Sequence, residues 1–262
     1  MMDADESCTQ FSNDTIEQIR QLQSKFATDR DWDQFHTPRN LLLAMVGEVG
    51  ELSEIFLWKE DLQHGLKGWC ESEVQHLGEE LSDVLLYLIR LSEKCHCDLS
   101  NAVKQLLNNK YQIAVETVEV VAADEKPAQN KFAFSHLSFE NIRHHLSVLD
   151  RDIEKEFQKH SQKSITLALV RDVGKVAESF QWKGEVEVNL PGWSTNELSK
   201  LTNRLAVVLV DLVFLSLRCE IDLPNVVKKK IIKNGLKYPV GLSNGSSKKY
   251  TELNGKLVAN GV

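Results

Sequence analysis

The sequence repeats itself at a fixed spacing of 124 residues, and this repeat constrains the fold more than any other feature. Trp182-Lys183 follows Trp58-Lys59 at that spacing, and Gly192-Trp193 follows Gly68-Trp69. The stretch LLLAMVGEVGELSEIFLWK aligns without a gap in its core with SITLALVRDVGKVAESFQWK. The pattern predicts an internal duplication. Two copies of one structural unit, joined by a linker, then make up the 262 residues.

Helical periodicity dominates each copy. In residues 15–30 the apolar positions Ile16, Ile19, Leu22 and Phe26 recur at the spacing of one helix face. Similar reasoning predicts helices over residues 38–58 and 71–94, and a fourth helix with Asp98 at its N-cap that ends near Tyr111. No alternating apolar pattern predicts a strand. Four helices joined by short loops are typical of an all-α bundle.

The repeat and the helices together predict an all-α fold in which two tandem four-helix units pack as a pseudo-dimer. The expected boundaries are a first unit at residues 13–112, a linker at 113–134, a second unit at 135–240 and a disordered tail at 241–262. Residues 1–12 are also expected to be disordered because they are polar and terminal. We call the two units the first half and the second half.

Composition narrows the class of protein. The formal net charge of −7 disfavours a general nucleic-acid-binding surface. The five cysteines are odd in number and irregularly spaced, and no signal peptide is visible, so we expect a reducing, cytoplasmic setting. The apolar runs carry charges and are too short to span a membrane, so no membrane partner is expected.

Carboxylates stand inside the apolar helices of the first half. Glu48 and Glu51 are three residues apart on one predicted helix, and Glu80 and Asp83 are three apart on another, so each pair shares a helix face. If these faces meet, four carboxylates converge in an apolar bundle. Their charges would then raise their pKa values, meet basic partners or bind a hard cation such as Mg²⁺.

The second half keeps the apolar core and loses the acids. At the spacing of the repeat, Asp172, Lys175, Arg204 and Val207 replace the four carboxylates of the first half. Asp172 is expected to pair with Lys175 or Arg204. We therefore predict that the second half binds no Mg²⁺ at the equivalent place.

Lysines mark the end of the second half. The stretch KKKIIKNGLKYPV carries Lys230, Lys233, Asn234 and Lys237, and the first half ends without a counterpart of this lysine–asparagine pair. A lysine row near a helix end is either a solvated face or a surface that holds polyphosphate.

These motifs resemble the all-α nucleoside triphosphate pyrophosphohydrolases of the MazG-like superfamily. The resemblance rests on Glu48-x-x-Glu51, on Glu80-x-x-Asp83 and on the stretch FATDRDWDQFHTPRN before them. It implies a Mg²⁺-dependent hydrolase that splits a deoxynucleoside triphosphate into the monophosphate and pyrophosphate. The resemblance to enzymes of this superfamily that act on dCTP is closer still. It therefore implies dCTP, and possible modified forms of it, as the substrate in nucleotide-pool sanitation.

The resemblance also implies roles for single residues. The metal ligands would be Glu48, Glu51, Glu80 and Asp83, and the base that takes a proton from the attacking water would be Glu48, Glu51 or Glu54. The family has a histidine where this chain has Gln23, which leaves the detail of base selection open. The nucleotide would contact Gln23, Trp32, Asp33, Gln34, Phe35, His36, Trp58 and Tyr87.

Related enzymes build their sites where helical units meet, so the resemblance implies a homo-oligomer, with two chains imitating a tetramer. Because each half lacks what the other keeps, we hypothesise that the second half supplies phosphate contacts through Lys233, Asn234 and Lys237. Two other functions stay open. One is a non-catalytic nucleotide-binding or regulatory protein, and the other is a purely structural helical partner.

Overall fold

The structure is a computed structural model that describes residues 10–111, 135–152 and 160–246. The described residues form nine helices, which we number in chain order. In the first half these are α1 (Ile16–Asp29), α2 (Pro38–Phe56), α3 (Glu71–Lys94) and α4 (Leu99–Tyr111). In the second half they are α5 (Phe139–Asp152), α6 (Gln162–Phe180), α7 (Thr195–Arg218), α8 (Leu223–Lys237) and α9 (Val240–Ser243).

Local sequence signals set the helix ends. Thr15 caps α1 in a reciprocal capping box with Gln18, and Thr37 accepts a hydrogen bond from the Asn40 backbone just before Pro38 begins α2. Asp98 accepts a hydrogen bond of 3.0 Å from the Asn101 backbone, as the predicted N-cap of α4 requires. Apart from one isolated bridge between Thr15 and Ser138, the described ranges contain no β-structure. The prediction of an all-α fold is confirmed.

The fourth helix of each half packs on the other half. Helix α3 contacts α1 and α2 of its own half and also α8 of the second half, while α7 contacts α5 and α6 and also α4 of the first half. Helices α3 and α7 touch each other at the centre, and their apolar faces lie in one buried core. This exchange brings α8 of the second half against the acidic helices of the first. The pseudo-dimer and the duplication behind it stay predictions.

Two predicted boundaries need correction, and one lies outside the described part. Phe11 is buried and its backbone N–H donates to Glu140, so residues 10–12 are ordered. Residues 241–246 are ordered as well, because Gly245 donates its backbone N–H to the Arg30 carbonyl. The predicted tail thus begins too early, since contacts with the first half fix its start. The linker at 113–134 is outside the described residues.

In the described part of the chain, no helix is both long enough and apolar enough to cross a membrane.

Candidate metal and nucleotide site

Three carboxylates from two helices converge in the first half. Glu48 on α2 and Glu80 and Asp83 on α3 each offer an oxygen, and these oxygens lie within 4.8 Å of one another. Glu80 is only 6% exposed, and its buried Oε2 accepts no hydrogen bond from the described residues. A buried oxygen without a donor is unfavourable unless something absent from the protein itself satisfies it. The cluster therefore has the composition and the unmet bonding capacity of a cation site.

The electrostatics of the cluster agree with this interpretation. Burial raises the pKa of Glu48 to about 7, with help from the charges of Asp83, Glu51 and Glu80. Burial and the neighbouring Asp83 carboxylate likewise raise the pKa of Glu80. Crowded carboxylates are relieved by protonation or by a positive charge. All-oxygen acidic ligands suit Mg²⁺, so these residues fit a hard divalent cation.

Glu51 and Glu54 stand apart from the group of three. Both side chains are exposed on α2. The charge of Glu51 raises the pKa values of Glu48 and Glu80, so Glu51 lies beside the cluster. The structure thus gathers three of the four predicted ligands directly, with the fourth at the edge.

The second half supplies cations to this acidic site. Lys230 on α8 lies with its Nζ 2.5 Å from Asp83 Oδ2, and Lys233 lies 2.6 Å from Glu79 Oε1. Burial lowers the pKa of Lys230, but the facing Asp83 carboxylate more than offsets this and holds it above its usual value. The charge of Lys237 helps to lower the pKa of Asp83 against the stronger effect of burial. Lysines of the second half therefore face the acids of the first.

Lys230 is absent from the predicted binding residues, although it is the cation nearest the cluster. It lies three positions before Lys233 and seven before Lys237, a spacing that places all three near one helix face. Helical periodicity alone would have identified it. Asn234, on the same helix, is half-buried, and its carbonyl accepts the backbone N–H of Tyr238.

A cluster of aromatic side chains lies beside the acids. Trp32 contacts Phe26 edge-on with ring centroids 5.7 Å apart, and Tyr238 of the second half at 5.4 Å. The Nε1–H of Trp32 donates to the Ser243 carbonyl at 3.1 Å. Burial raises the pKa of Tyr87 to about 12, helped by the charges of nearby Glu48 and Asp83. Tyr238 and Ser243 were not predicted, because no local signal shows that the chain returns to Trp32.

The loop that carries Trp32 is anchored by ion pairs with α3. Burial would raise the pKa of Asp33, yet Lys94 at 2.5 Å and the Arg90 guanidinium lower it to about 2. Arg90 Nε also donates to His36 Nδ1 at 3.1 Å. Burial, together with Arg90, lowers the pKa of His36 to about 4, so the imidazole is neutral at pH 7. Asp33 and His36 therefore hold the aromatic loop in place through α3.

The remaining residues that were predicted to contact a nucleotide are half-buried or exposed. Gln23 and Phe35 are half-buried, while Gln34 is exposed and donates to the Asp31 carboxylate at 2.7 Å. Trp58 is 91% exposed, so its ring is open to solvent and its contact with a nucleotide stays a prediction.

The second half has ion pairs where the first half gathers acids. Asp172 is buried and pairs with Lys175 at 2.8 Å, as expected, and also with Arg171. Arg204 bonds to Glu178 instead. Among the described residues of the second half, no three potential ligands lie close enough to hold a metal ion. In the second half, Arg171 and Lys175 neutralise the buried carboxylate, as a bound cation would do in the first half.

The fold and the site together define a class: an all-α protein with a carboxylate cluster between two helices, suited to a divalent cation and flanked by lysines and aromatic rings. No family model matches the chain. Over 98 residues it is 54% identical to dCTP pyrophosphatase 1 of Rattus norvegicus and of Mus musculus, which covers 37% of this chain and 58% of each relative. It is 58% identical over 89 residues to dCTP pyrophosphatase 1 of Homo sapiens, covering 34% of this chain and 52% of that protein.

The chain thus spans just over half the length of the curated relatives it matches. The similarity to dCTP pyrophosphatase that the motifs indicated is confirmed over about a third of the chain.

Proposed function

We propose that this protein hydrolyses dCTP to dCMP and pyrophosphate with the help of Mg²⁺, and so removes nucleotides from the cellular pool. The observation that carries the proposal is the convergence of Glu48, Glu80 and Asp83 around an unpartnered, buried Glu80 oxygen. The similarity to relatives named dCTP pyrophosphatase 1 supports the choice of substrate.

The three clustered carboxylates, with Glu51 beside them, would hold the metal ion. When bound, Mg²⁺ neutralises phosphate charge and makes a water molecule more acidic. Glu51 is exposed and outside the group of three, so it is better placed than Glu48 to take the proton of the attacking water. Glu54 is the more distant alternative along α2.

The second half would bind the phosphates. Lys230 and Lys233 now pair with Asp83 and Glu79, and a triphosphate would offer them stronger acceptors. Trp32 and Tyr87 line the other side and offer aromatic faces to the base. The chain thus orients the substrate between an acidic wall and a basic helix.

Pyrophosphate release from dCTP in the presence of Mg²⁺ tests the proposal. We expect the Glu80→Gln variant to lose about 100-fold or more in kcat, because catalysis needs the charge of this carboxylate. Glu60→Gln, which changes an exposed glutamate outside the site, is the matched control and should keep full activity. Equal turnover by both variants would contradict the proposal.

A second candidate function is nucleotide binding without turnover. The observation that favours it is the Lys230–Asp83 ion pair, which partly neutralises the acids without a metal. Mg²⁺-dependent binding of dCTP with no pyrophosphate released would support this candidate over hydrolysis. A panel of canonical and 5-modified deoxynucleoside triphosphates would define the base preference.

We also propose that two copies of the chain associate and that the protein acts in the cytoplasm. Leu43 on α2 and Leu167 on α6, 124 residues apart, are both exposed large apolar side chains. Such outward apolar faces suit a contact between two copies of the chain. Sedimentation velocity should then show a dimer, and a monomer at micromolar concentration would refute it. The proposed site of action is the cytoplasm.

A further inference from the structure

The second half contains a cleft that the proposed reaction does not use. It has a volume of about 420 Å³ and opens between the end of α6 and the start of α7. Ligand pockets in proteins usually enclose about 300–1,000 Å³, so the cleft is large enough for a small molecule. It is lined by Glu178, Ser179, Trp182, Lys183, Trp193, Glu197, Lys200 and Arg204.

Three cationic and two acidic side chains line this cleft, and Lys183 pairs with Glu197. Arg204 is largely buried and donates to Ser179 Oγ and to Glu178 Oε2, each at 2.9 Å. Lys200 is exposed and forms no ion pair with any described residue. A guanidinium held by the protein, next to a free ammonium group, is a favourable arrangement for a phosphate.

An aromatic platform lies beside the cations. Trp182 is 87% exposed, so both the ring and the cleft are open to solvent. Trp193 packs on Phe180 with ring centroids 5.2 Å apart and is covered by Lys183 Nζ at 4.7 Å, so it forms part of the wall. An exposed indole next to a cationic pocket can stack on a planar ring whose phosphate reaches the cations.

The repeat explains why this cleft has a different chemistry from the first half. Arg204 and Lys200 stand 124 residues after Glu80 and His76, so a metal-site carboxylate is replaced by a guanidinium. Asp172, the counterpart of Glu48, is already paired with Arg171 and Lys175. In the first half, Glu80 would bind phosphate through a metal ion. At the matching position of the second half, Arg204 itself carries the positive charge.

We infer that the cleft of the second half binds a nucleoside monophosphate without a metal ion. Arg204 and Lys200 hold the phosphate, and the base stacks on Trp182. This inference rests on the cleft alone and stands whether or not the first half hydrolyses dCTP.

Glu178 should weaken phosphate binding, because its carboxylate pairs with Arg204. Its side chain is 61% exposed and competes with a phosphate for Arg204. An exposed ion pair of this kind contributes little stability, so a doubly charged phosphate displaces it readily. Removing the carboxylate should therefore strengthen binding of the phosphate.

Calorimetric titration of the full chain with dCMP, in buffer that contains EDTA, tests the inference. We expect one dCMP per chain, and inorganic phosphate should bind about tenfold more weakly because it lacks the ring. Lys200→Glu should weaken dCMP binding about tenfold or more by reversing a charge at the cleft, and Arg204→Gln should do the same. Glu178→Gln should tighten it several-fold. Glu80→Gln, which changes the first half, should leave the affinity unchanged.

Lys200 lies on an exposed helix face, so its variant keeps the test valid if Arg204→Gln fails to fold. No saturable binding of dCMP in EDTA would overturn the inference. So would binding that Lys200→Glu leaves unchanged, or binding that Glu80→Gln abolishes. Equal affinities for dCMP and inorganic phosphate would remove Trp182 from the site and refute the nucleoside as ligand.

Discussion

Glu48 and Asp172 stand 124 residues apart, at matching positions of the predicted repeat, but in different surroundings. Asp172 is 2% exposed and has two cationic partners on its own helix. Glu48 faces two other carboxylates, and the charge of Lys230, which belongs to the second half, lowers its pKa without offsetting burial. A buried acid is tolerated when a positive charge accompanies it. The two positions thus differ in charge balance: cations on its own helix neutralise Asp172, whereas Glu48 stays among carboxylates.

The raised pKa of Glu48 predicts how the metal-free protein responds to pH. The pKa is about 7 in the folded chain against an ordinary 4.5, so the folded state binds the proton more tightly than the unfolded state. The protonated Glu48 contributes fully to the free energy of unfolding below pH 4.5, and this contribution is lost as the pH rises to 7. Allowing for solvent screening, we expect a loss of about 1 kcal/mol, or about 2–4 °C in Tm.

Thermal unfolding in EDTA between pH 5 and pH 8 measures this effect. The wild-type protein should lose more stability across that range than Glu48→Gln, which cannot ionise. Adding Mg²⁺ at pH 8 should raise the Tm of the wild-type protein only. Parallel pH profiles for the two proteins would contradict a raised pKa of Glu48.

At the scale of single elements, α8 links the two halves chemically. It packs on α3 and pairs Lys230 and Lys233 with the acids of that helix. The hypothesis of divided labour between the halves depends on this helix, and the observed ion pairs of Lys230 and Lys233 support it. Whether Asn234 and Lys237 contact a substrate stays a prediction.

Replacing Lys233 and Asn234 together by alanine should raise KM for dCTP, or lower kcat, by about tenfold or more, because phosphate contacts are lost. Lys67 is exposed, lies outside the cleft that Lys230 and Lys233 line, and forms no ion pair with a described residue. Lys67→Ala is therefore the control, and steady-state kinetics is the measurement. Unchanged kinetics in the double variant would reject a role for α8 in substrate binding.

The close contact of α8 with α3 depends on one glycine. A Cβ atom at Gly78 would lie 3.1 Å from Val226 Cγ1, whereas a Cβ atom at Gly174 on α6 would meet nothing within 4 Å. Gly78→Leu should destabilise the protein by about 1–3 kcal/mol through overpacking and push α8 off the acids. Gly174→Leu should be neutral or stabilising.

Thermal unfolding and the KM for dCTP together measure this effect. A Val226→Ala change should restore part of the lost stability by making room. If Gly78→Leu left both stability and KM unchanged, the contact between the two helices would have no role in the site.

At the scale of the whole molecule, the sequence predicts the bounds of the helices far better than the contacts between helices of the two halves. The bounds of α3 agree with the prediction at both ends, because caps and periodicity are local signals. The acids Glu48, Glu80 and Asp83 were also predicted, because their spacing places them on inward faces. The ion pair of Lys230 and the contact of Trp32 with Tyr238 were not, since they arise only when the halves exchange their fourth helices.

The most direct test of the account is the number of metal ions that one chain binds. Mn²⁺, a stand-in for Mg²⁺, can be titrated into the metal-free protein while electron paramagnetic resonance records the free ion. We expect one tight site per chain, lost when Glu48 and Glu80 are both changed to glutamine and retained in the Glu178→Gln control. Two tight sites per chain, or one that survives the loss of both glutamates, would contradict the claim that the acids of the first half alone hold the metal.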